Sequence, residues 1–127
     1  MVHADRADGS GAALHQLAGR IKQFDALKAR EDADAAYMRG RGIRNPQNTH
    51  PRVKRLQAQR KDVERMLRHD CQGLMAHPAL KGKLGEADRV FQELYADLYG
   101  DDTVKRERAQ GRLVDVVRNE LKTRGLV

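Results

Sequence analysis

HPRVKRLQAQRKDVERMLRHDCQGLM, residues 50–75, decides the fold. Val53, Leu56, Val63, Leu67 and Leu74 recur at the spacing of a helix that buries one side, with Arg60 and Asp70 interrupting the stripe. At about 100° per residue, Lys54, Lys61, Arg65 and Arg68 gather on the opposite face within roughly 60° of one another. Pro51 suits a first helical turn, where no hydrogen bond is lost, and Thr49 or His50 is placed to cap it.

Upstream, RGRGIRNPQNT (39–49) has the Gly, Pro and Asn content of a loop. Its glycines, with Arg39, Arg41 and Arg44, would let the backbone approach a phosphate-bearing ligand closely; a solvated connector is an equal reading. Before it, Leu14, Leu17, Ile21 and Phe24 form a helical stripe. Lys28 and Glu31 take the next stripe positions, so the helix is expected to run to about Met38 with weaker packing, until Gly40 and Gly42 stop it. Residues 1–10 are polar and without period, and are expected to be a flexible tail.

Downstream, a second His-Pro opens HPALKGKLGEADRVFQELYAD (77–97). Laid over residues 50–70 without gaps, it repeats His, Pro, Lys, Val, Leu and Asp. This weak internal repeat predicts two His-Pro-capped helices forming an antiparallel hairpin. The second copy carries acids (Glu86, Asp88, Glu93, Asp97) and a fuller stripe: Leu80, Leu84, Ala87, Phe91, Leu94 and Leu98. Gly100 closes that helix and Asp101 or Asp102 caps the next, whose wide apolar set (Leu113, Val114, Val116, Val117, Leu121) predicts contact with both the core and another subunit.

Charge is the second strong signal. The chain is formally +7, yet residues 39–68 hold ten Lys or Arg against Asp62 and Glu64, a net +8. A localised basic field calls for a polyanionic or acidic partner. At 127 residues the chain fits one domain with a modest core. It has no run of apolar residues that could span a bilayer and no apolar leader, which predicts a cytoplasmic protein without membrane contact, and the lone Cys71 fits a reducing compartment.

Motifs for chemistry are absent. The five histidines and Cys71 show no metal-ligand spacing, and no phosphate-cradling or nucleophile-elbow motif occurs. Tyr95 and Tyr99, four apart, could stack on bases, but as core-edge or interface residues they need no such role. The N-terminal helix followed by two helices that open on an x-Pro signal resembles, over residues 14–99, the all-helical YlbF/YmcA regulators of bacteria, which implies an oligomeric partner in RNA processing. The Asn-Pro-containing basic loop is similar to a feature of some phage small terminase subunits. Neither resemblance transfers a role to a residue.

The expectation is therefore an all-α protein: four principal helices, about 11–38, 50–75, 78–99 and 102–124, in an antiparallel helical bundle with a basic loop between the first two. Residues 11–127 form its single domain. It is expected to be a homo-oligomeric, non-enzymatic accessory protein without metal or cofactor. Its partner would be a nucleic-acid backbone, RNA or DNA, held by Arg39, Arg41, Arg44, Arg52, Lys54, Arg55, Lys61, Arg65 and Arg68. The competing expectation is a helical adaptor or assembly component, in a regulatory complex or phage particle, whose basic face docks on an acidic protein surface.

Overall fold

The computed structural model describes residues 9–127. These form α1 (Ser10–Gly40), a short α2 (Pro46–Thr49), α3 (Pro51–Met75), a 3-10 turn (Pro78–Leu80), α4 (Glu86–Leu98) and α5 (Thr103–Thr123). The protein is an all-α helical bundle, with no strand among the described residues. No helix is long and apolar enough to cross a membrane. Most of the expected tail lies outside the described residues, but Ser10 already belongs to α1 and is buried.

Two antiparallel pairs build the fold. α1 packs along α3, in a register shown by Arg20 to Asp70 (2.7 Å) near one end and Glu31 to Arg60 (2.8 Å) further along. α4 packs along α5, and α5 in turn lies on α3. The main core joins Leu14, Leu17 and Ile21 of α1, Leu67, Cys71 and Leu74 of α3, Leu84 and Phe91 around α4, and Leu113, Val117 and Leu121 of α5. Burial of such side chains stabilises a fold by about 1.5 to 3 kcal/mol each, so this core holds the body of the molecule.

The second His-Pro does not do what the first does. His77 Nδ1 accepts a hydrogen bond from the Ala79 amide (3.2 Å), but the helix after Pro78 ends within one 3-10 turn. Gly82 (φ 76°) and Gly85 (φ 56°, ψ −130°) then take conformations that side chains with a Cβ resist, and the chain changes direction before Glu86. Asp88 Oδ2 accepts from the Leu84 amide (2.7 Å) and secures the new start. The expected helix 78–99 is thus shortened to Glu86–Leu98, and α3 and α4 make little contact. The hairpins are α1 with α3 and α4 with α5 instead.

Local geometry changes two smaller expectations and keeps a third. The loop 39–49 contains α2, whose Pro46 is buried. The Thr49 hydroxyl donates towards the carbonyls of Arg44 (3.2 Å) and Asn45 (3.1 Å), and His50 sits at the N-cap position of α3 without a side-chain cap bond. The Asp102 cap does form, Oδ1 accepting from the Lys105 amide at 3.1 Å.

Cys71 lies fully inside the core, and burial, helped by the Asp70 carboxylate, pushes its thiol from an ordinary 9.0 up to about 12. In that window the unfolded chain has lost the thiol proton and the folded chain keeps it, so stability falls as pH rises from 9.0 towards 12. Urea titrations across that range should show the Cys71→Ala protein losing less stability than the parent.

Candidate nucleic-acid interface

Beyond the core, α1 and α3 continue together as an arm. The core cluster reaches Ile21 and Phe24 on α1 and Leu67 on α3. Farther out, Ala35, Val53, Leu56 and Val63 are buried outside that cluster, where α1 and α3 pair and α2 packs against both. Among the described residues, every side-chain ion pair from residues 28–62 stays on α1 or α3.

Glu31 holds this arm together. It is 1 % exposed, and Arg60 reaches it with a two-pronged grip, Nε to Oε1 at 2.8 Å and Nη2 to Oε2 at 3.2 Å. Arg60 Nη1 continues to Glu64 (3.3 Å), whose other oxygen accepts from Arg68 (3.4 Å). The hydrogen bonds that Arg60 donates to Glu31 raise the Arg60 pKa against the desolvation that lowers it. Glu31 and Arg60, two of the four polar residues at stripe positions, are therefore each other's partners, and a buried ion pair stands beyond Phe24 where the stripe of α1 lacks an apolar residue.

Charge then sorts itself along the arm. Residues 28–68 carry twelve cations and five acids, a net +7, equal to the net charge of the whole chain. All five acids are occupied: Glu31 by Arg60, Asp32 by Lys28, Asp34 by Arg52, Asp62 by Arg65, and Glu64 by Arg60 and Arg68. Of the nine residues singled out in sequence, Arg52, Arg65 and Arg68 thus face carboxylates. Arg39 bonds to Gln47 (3.1 Å), and Arg41 donates to the Tyr37 hydroxyl (3.1 Å) while lying over its ring. Arg44, Lys54, Arg55 and Lys61 are exposed, with no side-chain bond among the described residues.

No family model, curated protein or solved structure matches this chain.

The arm brings these cations to two places. Arg39, Gly42, Ile43, Arg44 and Asn45 line an open depression at the tip. Gly42 (φ 86°) shapes the turn, and nothing lies within 4 Å of where its Cβ would be, so the loop surface there is open to a ligand. Arg52, Lys54 and Arg55 crowd the start of α3, where the helix dipole disfavours positive charge and no acid in the first turn offsets it. Lys61 and Arg65 continue the outer face. Arg30, exposed and without a carboxylate, lies level with Lys61 in the antiparallel register. Sequence reading missed Arg30 because it precedes the basic run; the pairing of α1 with α3 places it on the arm. Among the described residues no cluster of His, Cys, Asp and Glu could hold a metal ion.

Proposed function

We propose that this protein is a non-enzymatic, cytoplasmic accessory protein that binds the phosphate backbone of a nucleic acid through its helical arm. One observation carries the proposal: the net positive charge of the chain sits on the arm, whose acids are all engaged, leaving seven cations free of carboxylates. A solvated helix normally mixes its charges, and cations packed at a helix start break a local rule that an anion would restore. The test is a salt titration of binding to unrelated nucleic-acid sequences. With about 0.9 counterions released per phosphate contact on a duplex, four to seven contacts give a log-log slope of about −4 to −6. Binding no tighter than that of a charge-matched unfolded peptide, with an acidic protein recovered instead, would move the protein to the adaptor class.

The same proposal includes self-association, on different grounds from the wide apolar face of α5. Leu113, Val117 and Leu121 are buried, and Val114 and Val116 pack partly against the core, so that face is largely satisfied within one chain. Tyr95 (52 % exposed), Tyr99 (51 %) and Val104 (64 %) at the α4–α5 corner supply the exposed apolar surface instead. Light scattering should give a mass above 14.4 kDa, and the Tyr95→Ser, Tyr99→Ser protein should run as a monomer.

A further inference from the structure

We infer that the polymer bound by the arm is a duplex, DNA or RNA, in preference to a single strand; the inference rests on the proposed backbone binding. Proteins that hold single strands combine a basic groove with aromatic rings on which bases stack. The arm separates these features. Between residues 28 and 68 the one aromatic side chain is Tyr37, whose hydroxyl and ring face are both engaged by Arg41. The Tyr95 and Tyr99 pair, with ring centroids 4.7 Å apart, stands on α4 instead. That half of the molecule, residues 69–127, has ten cations and ten acids, and Asp97, Asp101 and Asp102 surround the pair in sequence. A strand stacked on Tyr95 and Tyr99 would bring its phosphates to carboxylates.

What the arm does offer is a stiff row of charge. Lys54 and Lys61 follow one line on the outer face of α3, about 10.5 Å apart along the axis at 1.5 Å per residue, and Arg65, itself held by Asp62, lies about 6 Å further along the same line. The row cannot curl round a flexible strand, because the buried Glu31 to Arg60 pair and the Asp34 to Arg52 pair (3.0 Å) lock α3 to α1. A duplex presents about one charge per 1.7 Å of axis, roughly twice the density of one of its strands, on a frame that is already ordered. A single strand facing the same row meets half the charge and must also lose conformational freedom to follow it.

The experiment is fluorescence anisotropy of the full chain with a mixed-sequence DNA duplex, the matching RNA duplex, and each separated strand, over a series of salt concentrations. At least one duplex is expected to bind about tenfold or more tightly than either of its strands, with a steeper slope, about 0.9 rather than 0.7 per contact. The Tyr95→Ser, Tyr99→Ser protein should keep that ratio. A single strand bound as tightly as its duplex would overturn the inference and leave backbone binding standing. If the protein binds every probe no more tightly than a charge-matched unfolded peptide does, backbone binding itself is overturned.

Discussion

Replacing Arg60 with alanine should destabilise the protein by about 3 to 5 kcal/mol, the range seen when one partner of a buried ion pair is removed. The loss is that large because Glu31 stays behind, 1 % exposed, with neither of its carboxylate oxygens paired. Urea titration measures it directly. Folding raises the Arg60 pKa, so the stability it contributes is present at every pH below the ordinary guanidinium range and would be lost only as pH rises through the folded value. The deficit of Arg60→Ala should therefore be the same in neutral and mildly alkaline buffers. A double replacement, Glu31→Leu with Arg60→Met, should recover most of the loss, because well-packed apolar residues replace buried ion pairs at little cost. If Arg60→Ala leaves stability untouched, the arm is held by Ala35, Val53, Leu56 and Val63 alone.

The second large effect concerns binding. Changing Arg44, Lys54, Arg55 and Lys61 together to glutamine should weaken nucleic-acid binding about a thousandfold at about 0.1 M salt and reduce the log-log slope by about 3.6, four contacts at about 0.9 each. Stability should hold or rise slightly, since Lys54 and Arg55 oppose the dipole at the start of α3. The informative control changes Arg52, Arg65 and Arg68 instead. These side chains already face Asp34, Asp62 and Glu64 at 3.0, 2.7 and 3.4 Å. Their loss weakens the arm's field and so lowers affinity, but the slope should change little, because groups held by carboxylates release few counterions from the polymer. Equal slope changes in the two proteins would show that these ion pairs break on binding, which surface pairs worth about 0 to 1 kcal/mol can do.

Three of the four long helices were legible from an apolar stripe that keeps helical spacing. Leu14 to Phe24, Val53 to Leu74 and Leu113 to Leu121 each predict a buried face, and each is found turned to the interior. The segment 78–99 misled because its stripe continues evenly through Leu80 and Leu84 while the backbone does not. Leu80 and Leu84 are both buried, yet from opposite ends of a glycine-shaped turn, and periodicity is blind to the φ angles of Gly82 and Gly85. The His-Pro repeat misled for a related reason. A cap signal marks where a helix can begin, whereas the length of that helix is set by the residues downstream of the cap.

For the candidate site, sequence alone determined the four helical stripes, the position of the basic run, and the gathering of Lys54, Lys61 and Arg65 on the outer face of α3. Those properties arise from side-chain chemistry at a fixed angle per residue, so they are local and can be counted along the chain. That Arg52 and Arg60 are held by carboxylates was decided only by the tertiary structure. Glu31 and Asp34 are remote in sequence from Arg60 and Arg52, and only the antiparallel packing of α1 on α3 brings them within 3.0 Å. The same packing places Arg30 on the arm. An ion pair acts over a few ångströms, and the chain sets such distances only once its helices have packed.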